Sequence, residues 1–114
     1  MTDDLHDYAP RPVPADCPWR IASARFAGGD ETPRFEVDLV RDDGVRIVVS
    51  NAGEGGCHRY APTLAGGWAS IRAFERCAAE WGQAVGVRFE AEDALVYELI
   101  DLWLQQQPIF REAR

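Results

Sequence analysis

The stretch Arg34-Phe35-Glu36-Val37-Asp38-Leu39-Val40-Arg41-Asp42-Asp43-Gly44-Val45-Arg46-Ile47-Val48-Val49-Ser50 decides the fold. Phe35, Val37 and Leu39 alternate with Arg34, Glu36 and Asp38, which is the period of a strand with one buried face. Val45 to Ser50 is rich in β-branched residues and predicts the returning strand. Register sets the loop length. A two-residue loop would set Leu39 opposite Val48 and Val37 opposite Ser50. The three-residue loop Asp42-Asp43-Gly44 sets Leu39 opposite Ile47 and Val37 opposite Val49, so the apolar side chains share one face. A one-residue slip would carry half of them into water, so the longer loop is predicted. Gly44 then takes the left-handed position that follows a type I turn.

Upstream, Trp19 to Phe26 is β-compatible through Ile21, Ala22, Ala24 and Phe26, and Gly28-Gly29-Asp30 ends it. Residues 1–18 hold Pro10, Pro12, Pro14 and Pro18, whose fixed φ opposes helix and favours an extended N-terminal arm. Residues 19–114 are expected to form a single domain. Downstream, Ala52 to Gly67 reads as a flexible connection. Trp68, Ile71, Phe74, Ala78, Trp81 and Val85 then recur at three- and four-residue steps, predicting an amphipathic helix that ends near Gly86. Glu90, Glu92 and Asp93 place negative charge where a second helix begins, running from about Ala91 to Gln107 and stopped by Pro108. The expectation is an α+β fold: a three-stranded antiparallel meander followed by two helices packed on one face, with a Pro-rich arm.

Composition narrows the chemistry. The 114 residues are 46% apolar and 27% charged, a globular balance. A net charge of −7 argues against a nonspecific grip on nucleic acid or an anionic membrane. No apolar run reaches the roughly 18 residues of a membrane span. The acidic start Met1-Thr2-Asp3-Asp4 lacks a signal-peptide pattern, and three irregularly spaced cysteines suggest reduced thiols, so a cytoplasmic location is expected. All 12 basic residues are arginine, which excludes Schiff-base, P-loop-lysine and lysine-base chemistry.

The glycine-rich loop Gly53-Glu54-Gly55-Gly56 fits neither nucleotide-binding pattern, and Glu54 would repel a phosphate. Cys57-His58 is the one place where a nucleophile adjoins a possible base, with the chain's single asparagine, Asn51, in the same loop. A thiol hydrolase or transferase would use these three, although Cys–His pairs normally meet through the fold. Zinc could draw on His6, Cys17, Cys57, His58 and Cys77, but no ligand knuckle is present. No cofactor is expected. On the second helix, Glu98, Asp101 and Gln105 share one narrow face, while apolar residues from Leu95 to Leu104 take most of the rest. Either the helix is wedged between sheet and first helix, or it offers an apolar strip to another chain. Residues 89–110 contain five acids and no arginine, a negative field suited to a basic partner.

The segment Val48-Val49-Ser50-Asn51-Ala52-Gly53-Glu54-Gly55-Gly56-Cys57-His58-Arg59-Tyr60 resembles one in small, uncharacterised bacterial and phage-associated proteins, where a β-hairpin leads into an Asn-Asp-Gly-x-Gly-Gly loop and then helices. Ala52 stands here in place of the aspartate. The resemblance implies no activity and no functional residues. Taken together, the residues favour a non-enzymatic interaction module, an inhibitor or accessory protein of bacterial or phage origin. Its contacts would be Asn51, Glu54, His58, Arg59 and Tyr60 in the loop and Leu95, Glu98, Leu99, Asp101 and Trp103 on the second helix. The partner is a protein with a basic surface, which the chain could meet by imitating nucleic acid, or a second copy in a homodimer. Direct nucleic-acid or membrane binding is not expected.

Overall fold

The computed structural model describes residues 11–28, 34–63 and 66–107. Its element order is β1 (Trp19–Ala27), β2 (Arg34–Arg41), β3 (Arg46–Asn51), β4 (Arg59–Pro62), α1 (Gly67–Val85) and α2 (Ala91–Gln106). The strands form one antiparallel sheet in the order β1-β2-β3-β4. The central hairpin has the register expected from the apolar pattern, with Leu39 opposite Ile47 and Val37 opposite Val49. Its loop closes through Arg41 N to Val45 O at 2.8 Å, with Gly44 at a φ of 93°.

Among the described residues the sheet has four strands where three were expected. β4 falls in the segment read as flexible, and the reason is local. It is a short edge strand ending in Pro62, which can offer no N–H to a ladder and so weakens the strand signal. It pairs only with β3, setting Tyr60 opposite Val49 and Pro62 opposite Ile47. Upstream, a register shift between Ile21 and Ser23 lets β1 keep Ile21, Ala24 and Phe26 opposite Leu39, Val37 and Phe35.

Both helices cover one face of this sheet. Ile21, Phe35, Val37, Leu39, Ile47 and Val49 form a single buried cluster with Ile71, Phe74, Ala78 and Trp81 of α1 and Leu95, Val96, Leu99 and Ile100 of α2. Burying each of the larger ones is worth about 1.5–3 kcal/mol. α1 packs on β3 and β4, and α2 packs on β1 and on α1. The broad apolar surface of α2 is therefore used mainly for wedging. Trp68, by contrast, begins the α1 pattern yet is exposed.

The described part of the arm lies across the helices. Trp81 Nε1 donates to Pro12 O at 2.8 Å, and the Arg11 amide donates to Glu98 Oε2 at 3.0 Å.

The turn between the helices leaves no room at Gly82. Its carbonyl accepts the Val87 amide at 2.8 Å, and a Cβ there would sit 2.9 Å from Val87 O and 3.0 Å from the Ala91 Cβ. Helix propensity alone favours Gly82→Ala by about 1 kcal/mol. The backbone clash reverses the sign, and we expect this variant to lose about 1–3 kcal/mol in urea unfolding.

Candidate functional site

The 51–60 loop is held by buried polar groups. Asn51 ends β3 with its side chain inside. Its Oδ1 accepts the Gly53 amide at 2.8 Å, and its Nδ2 donates to Gly56 O at 3.0 Å. These two backbone partners fix which end of the amide points where. Nδ2 also stands 3.1 Å from His58 Nδ1, so that ring nitrogen must be the acceptor. The imidazole is then neutral and carries its proton on Nε2, which is buried without a hydrogen-bond partner among the described residues. Tyr97 and Phe35 pack nearly perpendicular to the imidazole, with centroids 4.7 and 4.9 Å away. In such a packing a ring N–H can point at a π-face.

Asp93 of α2 closes the network. Its side chain is only 8% exposed, with Oδ2 accepting the His58 amide at 3.0 Å and Oδ1 accepting the Tyr60 hydroxyl at 2.6 Å. Position in the first turn of α2 adds the favourable field of a helix N-terminus. Burial, followed by the bond to Asp93, keeps the Tyr60 phenol protonated far above its ordinary range. Burial also lowers the His58 pKa, although Asp93, Glu90 and Glu92 oppose the change.

The sequence-predicted residues divide by this geometry. Asn51, His58 and Tyr60 come together, but as the loop's internal support: Asn51 and His58 are 4% and 6% exposed. Their expected role as partner contacts gives way to this one, because their polar atoms are turned inward. Glu54, Cys57 and Arg59 are exposed around them. Cys57 and His58 occupy different environments, the thiol in solvent and the imidazole inside with its acceptor nitrogen facing Asn51. Leu95 and Leu99 are core residues at 0% and 3% exposure, so they are not anchors for another chain. Glu98 is occupied by the Arg11 amide. Asp101 is exposed and Trp103 half-buried against the core. Trp103 lies ten residues beyond Asp93, or about 15 Å along the helix. Among the described residues no three His, Cys, Asp or Glu side chains gather to hold a metal, and His6 lies outside them.

Sequence reasoning missed Asp93 as the hub. A signal existed: Asp93 precedes Val96 by three residues and Ile100 by seven, on the stripe that faces the core. It also missed an aromatic rim. Phe26 pairs across strands with Phe35, and Tyr97 packs on Phe35 with a 6.0 Å centroid separation. Phe26 and Tyr97 are 46% and 43% exposed, so both flank the loop end while remaining open to solvent.

Charge is also divided. Arg20, Arg25, Arg34, Arg46 and Arg59 are exposed on the strands, at positions opposite to those that enter the core. Arg25 pairs with Glu36, and Arg46 pairs with Asp38 at 2.9 Å. α2 itself contains acids and no basic residue.

Compared with known protein families, with curated proteins and with solved structures, the chain finds no match.

Two outcomes test the network. Asp93→Ala strands the Tyr60 hydroxyl and the His58 amide, and should lose about 2–4 kcal/mol in chemical denaturation. Acid should also destabilise the protein through His58. Its ring titrates near 6.5 in the unfolded chain and lower in the fold, so below 6.5 the unfolded chain binds more protons. The stabilisation is fully present above that pH and is lost as pH falls toward the folded value, at up to about 1.4 kcal/mol per unit. A protonated Nδ1 would also face the Asn51 amide donor. Thermal midpoints between pH 7.5 and pH 5 should fall more steeply for the wild type than for His58→Gln.

Proposed function

We propose that the chain is a non-enzymatic protein-interaction module, an inhibitor or accessory protein whose contact surface is the loop end of the sheet. Phe26 and Tyr97 supply the apolar contacts, and Glu54, Cys57 and Arg59 the polar ones. One observation carries the reading. Asn51, His58, Tyr60 and Asp93 are spent on holding a surface loop in one shape, and the side chains that the loop leaves outside line a rim of exposed aromatics. Preorganisation of this kind lowers the ordering cost of binding. Exposed aromatic anchors are what interface hot spots use.

The acidic start of α2 gives this end a preference for a basic partner. A ladder of carboxylates imitating nucleic acid is the less favoured form of the reading, because Asp93 is buried and Glu98 already accepts a backbone amide. The arginines on the uncovered sheet face make a second copy an alternative occupant.

Capture from cells of the source organism with cross-linking, using wild type and Phe26→Ser/Tyr97→Ala in parallel, tests this function. The variant should keep the wild-type circular dichroism spectrum and lose a protein partner by about tenfold or more. Equal recovery of every captured protein by both would overturn it.

A further inference from the structure

We propose that Cys17 and Cys77 form a reversible intramolecular disulfide that staples the root of the N-terminal arm to α1. Both thiols line one groove, together with Pro12, Val13, Trp81 and Leu95. Cys17 is near enough to help raise the Cys77 thiol, and both are half-buried against the core. Each sulfur sits on a fixed support. Cys17 donates to the Trp19 carbonyl at 3.6 Å, and Trp19 opens β1 with only 3% of its surface exposed. Cys77 lies between Phe74 and Ala78 on α1, both fully buried, and one turn before Trp81, which holds Pro12. Cys57 has no such neighbour and is exposed in the loop.

The oxidant is a low-molecular-weight disulfide such as oxidised glutathione. The Cys17 thiolate attacks one of its sulfurs, a mixed disulfide forms, and one glutathione leaves as thiolate. Cys77 then attacks the Cys17 sulfur, the Cys17–Cys77 bond forms, and the second glutathione leaves. The two protons of the protein thiols end on the two glutathiones, which are reduced as the cysteines are oxidised. Burial holds the Cys77 thiol up at about 11, so it is little ionised at neutral pH and acts second, once the mixed disulfide is in place. The bond closes a loop containing all four strands, which restricts the unfolded chain.

The test uses the full chain carrying Cys57→Ser, incubated with oxidised glutathione at mildly alkaline pH. The expected product has lost two hydrogens with no adduct and yields a proteolytic fragment joining Cys17 to Cys77. Its thermal midpoint should rise by at least about 5 °C and return to the starting value with dithiothreitol. In the same background Cys17→Ser and Cys77→Ser should give neither the mass loss nor the rise. Accumulation of glutathione adducts without the joined fragment, or full retention of free thiols, would overturn the proposal. The mass and fragment map decide it even if a serine variant folds poorly.

Discussion

A buried carboxylate is tolerable only when its oxygens are filled, and Asp93 sits where that requirement ties three parts of the molecule together. One oxygen takes the His58 amide and the other the Tyr60 hydroxyl, so the first turn of α2 is bound to the end of the 51–60 loop and to β4. Without a partner from α2, the loop would present an unpaired amide and phenol to an apolar interior. Without the loop, the carboxylate would face the core alone. The edge strand is short and Pro-terminated, and this polar tie supplements its ladder with β3.

The same network explains why the loop's conspicuous residues are not equivalent. Asn51 uses both ends of its amide on backbone groups and still reaches His58. That commits the imidazole to the neutral form with an accepting Nδ1. The neighbouring thiol of Cys57 is left outside, so adjacency in sequence becomes separation between interior and solvent. The loop thereby keeps a defined outline while Glu54, Cys57 and Arg59 face solvent.

Polarity across the molecule follows from the fold's one-sided covering. Alternation along the strands sends Phe35, Val37, Leu39, Ile47 and Val49 under the helices and sends Arg20, Arg25, Arg34, Arg46 and Arg59 to the open face. α2 brings acids and no compensating base to the other side. A net charge of −7 therefore describes no single surface of this protein. The arm crosses both helices, bonded through Pro12 and Arg11, and places Cys17 in one groove with Cys77.

The hairpin register, the left-handed Gly44 and the spans of both helices were determined by sequence alone, because each rests on a period or a local backbone demand that neighbours in the chain impose. β4 was hidden because its pairing is with β3 across a glycine-rich loop, and its proline and short length mask the alternation. Only tertiary structure decided that Leu95 and Leu99 face the core, that Asp93 rather than Cys57 engages the His58 segment, and that Phe26 and Tyr97 meet around Phe35. Those outcomes depend on where α2 lands against β1 and the loop, a placement set by packing between residues tens of positions apart, which no local period encodes.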